Sequence, residues 1–164
     1  MSKYWIAAGA VLLIPSMVLV GQGSGTGVKF TDITTPAGIK FVHNSGRAGK
    51  KFLPETLGAG AAFFDYDGDG WPDLLLINSK DWTPRGKRSV SALYHNNKNG
   101  TFTDVTAGSG LDVEMYGMGV ATGDFDNDGK DDVFITAIDG DRLFHNEGAG
   151  KFKDRSEEHT SELQ

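Results

Sequence analysis

Short apolar runs separated by turns rich in glycine and aspartate fill the chain from residue 28 to residue 154. The runs "LLLIN" (74–78) and "DVFITAI" (132–138) favour β-structure and are bounded by turn residues, which predicts strands. No interior ten-residue segment places apolar residues at the 3.6-residue period of an amphipathic helix. "NKNGTF" (97–102) and "EGAGKF" (147–152) are typical of hairpin connections, in which glycine supplies positive φ. The pattern therefore predicts an all-β fold.

Much of this region occurs twice. The repeated pairs are 58–78 with 117–137, 93–106 with 143–154, and 30–39 ("FTDITTPAGI") with 102–111 ("FTDVTAGSGL"). The first pair is offset by 59 residues and the second by 50, so the first unit carries an insertion, which we place at residues 79–91. Each unit then holds about four antiparallel strands, the content of one propeller blade. Because blades need neighbours to bury both faces, the sequence predicts about two blades of an incomplete β-propeller.

The two ends of the chain differ from the repeats. Residues 1–23 have Lys3 and then no charge from Tyr4 to Val20, which is typical of a signal peptide or of an N-terminal membrane anchor formed by an apolar helix. Either segment predicts a secreted, periplasmic or cell-surface protein. Residues 155–164 ("RSEEHTSELQ") match one reading frame of a widely used sequencing adapter, so we interpret them as an artefact. The repeat region is therefore residues 28–154.

Negative charge is concentrated in two short segments. Nine of the sixteen aspartates lie in "DYDGDGWPD" (65–73) and "DFDNDGKDD" (124–132). A solvated acidic surface would scatter them, so a local cation explains the crowding better. The net charge of −6 argues against nucleic acid as a partner. The absence of cysteine from the sequence excludes disulfides and thiolate metal sites.

Both segments have acidic residues at the first, third, fifth and ninth positions and glycine at the sixth, a pattern that suits a hard, oxygen-seeking cation. Calcium is favoured over magnesium because flexible carboxylates suit high coordination numbers. The predicted ligands are the carboxylates of Asp65, Asp67, Asp69 and Asp73 with the carbonyl of Trp71, and the carboxylates of Asp124, Asp126, Asp128 and Asp132 with the carbonyl of Lys130. An acidic turn without an ion is the alternative.

An EF-hand is excluded for both segments. An EF-hand loop needs a bidentate glutamate at its twelfth position, where this chain has Leu76 and Ile135. Both residues lie in apolar runs that predict strands. We therefore expect each loop to join two β-strands.

These residues resemble FG-GAP/VCBS repeats, through the paired DxDxDGxxD loops, the preceding Gly-x-Gly and the linkage "LYHNN…GTFTDVT…GL…GMG". The segment that begins "FTDITTPAGIKFVHNSG" is similar to the start of the secreted ASPIC/UnbV (cartilage acidic protein-like) group. The resemblance implies a seven-bladed propeller with calcium between the first two strands of a blade, held by the eight aspartates above. The chain departs from the family at His95 and His145, where arginine is usual, and it lacks the C-terminal segment that defines ASPIC/UnbV.

The expected function is an exported, non-catalytic calcium-binding module that contacts an extracellular protein or glycan. The alternatives are a polysaccharide lyase or hydrolase whose catalytic residues lie in further blades, and a structural surface array. The sequence has no Gly-x-Ser-x-Gly, phosphate loop or zinc-histidine pattern. His43, Lys51 and Glu55 lie outside the repeats and are candidates for a separate site, whereas the repeated His95 and His145 indicate blade architecture. We expect five aromatic residues to pack between blades: Phe63, Phe64, Trp71, Tyr94 and Phe144.

Overall fold

A computed structural model describes residues 28–83 and 88–157. The chain divides into two units, Met1–Thr31 and Asp32–Gln164. In the first unit the described residues, 28–31, are exposed and outside regular secondary structure. The predicted N-terminal helix and the segment 1–23 lie outside the described residues. Within the described ranges, no helix has the length and apolarity that crossing a membrane requires.

The described part of the second unit contains a 3₁₀ turn followed by eight strands. The turn is Leu53–Thr56, and the strands are β1 (Ala61–Phe64), β2 (Asp73–Leu76), β3 (Ala92–Asn96), β4 (Phe102–Asp104), β5 (Gly117–Gly123), β6 (Asp132–Ala137), β7 (Arg142–Gly148) and β8 (Lys151–Asp154). They form two four-stranded antiparallel sheets, in the orders β1-β2-β3-β4 and β5-β6-β7-β8. The predicted all-β class and the two four-stranded units are confirmed.

The two sheets are structural copies of each other. Tyr94 pairs with Asp104 between β3 and β4, as Phe144 pairs with Asp154 between β7 and β8. The predicted insertion is also present, because residues 77–91 join β2 to β3 whereas only 138–141 join β6 to β7. The repeat in the sequence is therefore a repeat of sheet, register and turn.

The main hydrophobic core lies between the two sheets. Because side chains alternate along a strand, each sheet turns one set of apolar residues toward the other sheet. The linker between β4 and β5 adds Leu111 and Met115 to this layer. The buried residues are Phe64, Tyr66, Leu75, Ile77 and Leu93 from the first sheet and its connections, and Val133, Ile135, Phe144 and Phe152 from the second sheet. Burial of this layer makes each sheet depend on the other.

The expectation that five aromatic residues pack between blades is only partly correct. Phe64 and Phe144 lie in the inter-sheet core, and Tyr94 is buried on the opposite face of the first sheet beneath Ile39 and Phe41. Phe63, 67% exposed, and Trp71, 48% exposed, do not pack between these two sheets. Phe63 pairs with Leu74 and so shares its face, which no second sheet covers in the described part of the chain. Trp71 lies in the loop between β1 and β2.

One glycine of each Gly-x-Gly lies where the two sheets approach closely, whereas a Cβ on Gly58 would meet no atom within 4 Å. A Cβ on Gly117 would lie 2.5 Å from the Ile77 side chain and 2.9 Å from the Asn78 carbonyl oxygen. A Cβ on Gly60 would lie 2.9 Å from the backbone nitrogen of Val120. These distances are shorter than atoms tolerate, so glycine lets the innermost strands of the two sheets approach.

We predict that Gly117→Ala lowers the free energy of unfolding by about 1–3 kcal/mol, because the added methyl group overpacks the contact between the sheets. Gly123→Ala is the matched control, since a Cβ there meets no atom within 4 Å. Chemical denaturation of both variants tests this. Equal stability of the two variants would contradict the steric account.

Candidate metal sites

The two aspartate-rich loops lie at the same end of their sheets. Each begins directly after the first strand of its sheet, at Asp65 and Asp124, and ends on the first residue of the second strand, at Asp73 and Asp132. The twelfth-position residues are Leu76, which lies within β2, and Ile135, which lies within β6, as the exclusion of an EF-hand predicts. The loops are therefore β-hairpin connections.

The first aspartate of each loop folds the loop around its own carboxylate. Asp65 accepts hydrogen bonds from the backbone N–H groups of Asp69 (3.0 Å) and Gly70 (2.7 Å). In the second loop Asp124 accepts from Asp128 (3.0 Å) and Gly129 (2.9 Å). The distances agree within 0.2 Å, so the two loops have one conformation.

Glycine at the sixth position permits the sharp reversal of this conformation. Gly70 has φ of 83° and Gly129 has φ of 86°, a left-handed conformation that costs other residues energy. The fifth aspartate then accepts from the seventh residue, at 2.9 Å for Asp69 with Trp71 and at 2.9 Å in the second loop. This turn brings the carboxylates of the third and fifth positions to one side of the loop.

The ninth aspartate is buried and connects the loop to the rest of the sheet. Asp73 is 0% exposed and accepts from the N–H groups of Tyr66 (3.2 Å) and Asn96 (2.7 Å). Its counterpart, Asp132, is 1% exposed and accepts from Phe125 (3.0 Å) and Asn146 (2.7 Å). Each carboxylate thus holds the start of its loop and the third strand together.

The carboxylate oxygens converge at distances that suit a bound cation. Asp65, Asp67 and Asp73 each offer an oxygen within 4.8 Å of the other two. In the second loop Asp124, Asp126 and Asp128 each offer a carboxylate oxygen within 4.8 Å of the other two. All donors of these two sets are hard oxygens, so the residues present fit calcium or a similar hard cation.

The first loop is an electrostatically negative environment. Burial raises the pKa of Asp73 above its ordinary value, and the charge of Asp67 acts in the same direction, against the hydrogen bonds from the Asn96 and Tyr66 N–H groups. Burial also raises the pKa of the Tyr66 hydroxyl to about 12, with further contributions from Asp67, Asp73 and Asp69. A cation among these oxygens would offset the cost of keeping a buried carboxylate ionised.

Two lysines supply part of the compensating charge. A hydrogen bond from Lys98, at 2.9 Å, lowers the pKa of Asp69. In the second loop Lys130 binds Asp128, lowers the pKa of that carboxyl and has its own pKa raised in return. Lys98 comes from the β3–β4 hairpin and Lys130 from the loop itself, so the loops share geometry but not the source of this charge.

The two repeated histidines face the loops, which sequence reasoning missed. His95 Nδ1 lies 3.2 Å from Asp67 Oδ2 and 3.4 Å from Asp73 Oδ1. His145 Nδ1 lies 3.1 Å from Asp132 Oδ1, and each imidazole meets an aromatic ring of its loop edge-on. The signal was present, since each unit has one histidine at the same position, two residues after the leucine of "LYHN" or "LFHN". Both histidines thus lie beside the carboxylates of their loops, and His145 also forms a hydrogen bond with Asp132.

The non-repeated candidates have separate environments in the structure. His43 lines a groove of about 580 Å³ with Lys40, Arg88 and Asp81. Glu55 instead accepts a hydrogen bond from the backbone N–H of Ala48 at 3.2 Å, and Lys51 is exposed. Neither Glu55 nor Lys51 lines the groove that contains His43, so the three candidates do not form one site.

Comparison with known proteins assigns the repeats. The family model for FG-GAP-like repeats matches residues 65–135 and 124–163, which together are more than half of the chain. Cartilage acidic protein 1 of Mus musculus is 50% identical over 61 residues, and the Homo sapiens protein is 48% identical over 61. The matched segment is 37% of this chain and spans 9% of the length of either relative. With two matched repeats and two copies of the same sheet and loop, the chain belongs to the FG-GAP-like repeat family.

Proposed function

We propose that the chain is part of an exported, non-catalytic β-propeller that binds one calcium ion in each aspartate loop and contacts an extracellular protein or glycan. The proposal rests on one observation, which is that the two loops have the same hydrogen-bond pattern. Every backbone hydrogen bond to the first, fifth and ninth aspartates of one loop recurs in the other. An acidic turn without a ligand would have no reason to keep so many carboxylates in one arrangement twice.

The residues that would hold calcium are those that the sequence predicts. They are Asp65, Asp67, Asp69 and Asp73 with the carbonyl of Trp71, and Asp124, Asp126, Asp128 and Asp132 with the carbonyl of Lys130. The ion supplies charge compensation and a rigid connection between the first two strands of a blade. At millimolar calcium and a dissociation constant of ~0.1–1 mM, each site stabilises its blade by about 0.4–1.4 kcal/mol. That magnitude suits a structural role.

The wider architecture of the proposal is a closed propeller of seven blades outside the cytoplasmic membrane. The seven-bladed ring follows from the family resemblance, and the exposed Phe63 on β1 and Phe125 in the second aspartate loop support further neighbouring blades. Export follows from Lys3 and the uncharged run after it. A binding role is favoured over catalysis because the acidic groups repeat from blade to blade and form no single centre.

One observation favours the enzymatic alternative. The groove that contains His43 is lined partly by residues outside the repeat, among them Lys40, Asp81 and Arg88, and a single active centre would need such non-repeated groups. In that case the protein would be a polysaccharide lyase or hydrolase with further catalytic groups in other blades.

We predict no turnover when the protein carrying all its repeats is incubated with a panel of acidic and neutral polysaccharides, assayed by release of reducing or unsaturated ends. Turnover that a single substitution outside the loops abolishes, such as His43→Ala, would overturn the binding-module proposal.

We predict that calcium raises the melting temperature and that Asp126→Ala reduces the shift, because a ligand of the second ion is lost. Asp67→Ala should have the same effect at the first loop, and the double variant should lose the shift. Asp131→Asn is the charge-matched control, since it removes a carboxylate that lies between pattern positions. Thermal denaturation in calcium and in chelator measures the shift, and identical curves for the parent protein in both would refute calcium binding.

We also predict that Asp132→Ala destabilises the fold in chelator, by about 1–3 kcal/mol, because two backbone N–H groups lose their acceptor. Asp126→Ala in chelator should change stability by less than about 0.5 kcal/mol, since the hydrogen bond that it accepts from the Asp128 N–H is long, at 3.3 Å. Denaturant titration without calcium separates the two. Equal losses would show that the ninth aspartate does not anchor the loop.

A further inference from the structure

Two segments of the first repeat are much longer than their counterparts in the second. Residues 40–57 stand where the second repeat has only 112–116, and residues 77–91 stand where it has only 138–141. The first segment comes before β1 and the second follows β2, so both lie at the end of the sheet opposite the aspartate loop. This end is therefore where the described residues can form a site that does not repeat.

Three aromatic rings join the two long segments. The Phe52 and Trp82 rings lie 5.2 Å apart between centroids, and the Trp82 and Tyr116 rings lie 4.6 Å apart. Tyr116 is buried and donates from its hydroxyl to the Ser45 carbonyl at 2.6 Å, which anchors the rings in the fold. Phe52 is 41% exposed and Trp82 is 38% exposed. These two side chains therefore present aromatic surface to solvent on a support that is already ordered.

Positive charge is concentrated beside the exposed rings. Residues 40–54 contain four basic residues and no acidic one, in a chain whose net charge is −6. Lys50 and Lys51 directly precede Phe52 and are exposed. Neither lysine forms an ion pair in the described part of the chain. A short basic run of this kind attracts polyanions.

The described basic residues of the β2–β3 connection already have acidic partners. Lys80 binds Asp139 at 2.5 Å. Arg88 donates to the Asp112 carbonyl and lies 3.9 Å from the carboxylate of the same residue. These pairs balance the charge of the connection, so the positive charge available to a partner lies on residues 40–54.

The groove that contains His43 adjoins the rings through Asp81. Asp81 lines the groove, directly precedes Trp82 and accepts a hydrogen bond from the Asn44 side chain at 3.1 Å. Lys40 and Asn44 also line the groove, whose volume of about 580 Å³ is typical of a ligand pocket. Amide and ammonium groups there can donate hydrogen bonds to hydroxyl and acidic groups of a ligand.

We infer that this end of the first sheet binds an anionic polysaccharide, with acidic groups on Lys50 and Lys51 and a sugar ring against Phe52. The negative face of an aromatic ring attracts the weakly positive C–H groups of a sugar, and ammonium groups pair with sulfate or carboxylate. A polysaccharide is favoured over an acidic protein because each of its units can offer both an apolar ring face and an acidic group. The inference rests on the proposed function, since it names the ligand class of the extracellular contact, but it does not depend on calcium.

Binding of three polymers to the protein that carries all its repeats tests the ligand class. The probes are dextran sulfate, hyaluronan as a polymer that carries carboxylates, and dextran as the uncharged control. We expect at least one of the two charged polymers to bind, which distinguishes sulfate from carboxylate, and dextran not to bind. Affinity should fall as salt is added, because the lysines are exposed.

Matched variants test the residues. Lys50→Gln combined with Lys51→Gln should weaken binding about tenfold. Lys151→Gln combined with Lys153→Gln removes the same charge from exposed lysines of β8 and should change affinity by less than about twofold. Phe52→Leu should weaken binding about fivefold because the ring face is lost, and Phe52→Tyr should retain it.

Four outcomes would overturn the inference. They are absence of binding to both charged polymers, equal losses in the two lysine pairs, unchanged affinity in Phe52→Leu, and binding of polyglutamate as tight as that of either polysaccharide, which would make an acidic protein the partner. Acetylation of the parent protein needs no substitution, and the bound polymer should slow it at Lys50 and Lys51 but not at Lys153. Equal acetylation rates with and without polymer would also refute the site.

The calcium-dependent melting shift of the same protein separates this inference from the proposed function. A shift without polymer binding refutes the polysaccharide site alone. Polymer binding without a shift refutes the calcium sites alone, since binding should be the same in calcium and in chelator.

Discussion

A buried carboxylate fixes each blade of this protein. Asp73 and Asp132 are almost inaccessible to water, and each binds backbone N–H groups from its own loop and from the third strand of its sheet. Two hydrogen bonds hold the backbone but do not remove the cost of a buried negative charge beside other carboxylates. The nearby histidine and lysine side chains and further aspartate oxygens surround this carboxylate, and a bound cation would offset the cost most directly.

The second constraint is that a four-stranded sheet has two apolar faces. The sheets cover one face of each other, and glycine at the innermost strands lets their backbones approach. Residues 32–41 cover part of the outer face of the first sheet in the way that the inter-blade linker covers the second. The described repeats are thus a series of sheet, linker and sheet, with one aspartate loop at the same end of each sheet.

The sequence predicts the parts of this structure that depend on local chemistry. The repeats, the strand-joining loops and the insertion at 79–91 follow from turn residues and alternation. The sequence did not reveal that Phe63 and Trp71 are exposed, because exposure depends on which neighbours are present. It also did not reveal that His95 and His145 meet the carboxylates, because that contact requires the register between the second and third strands. Repetition alone marked these histidines as important without specifying their position.

The most direct test of the central claim is the number of calcium ions bound, measured by isothermal titration calorimetry on the parent protein and on Asp126→Ala. If the loops are the sites, the two described repeats together bind two calcium ions. Asp126→Ala then reduces that number to one. A stoichiometry that is zero in the parent, or that is the same in both proteins, would contradict the account.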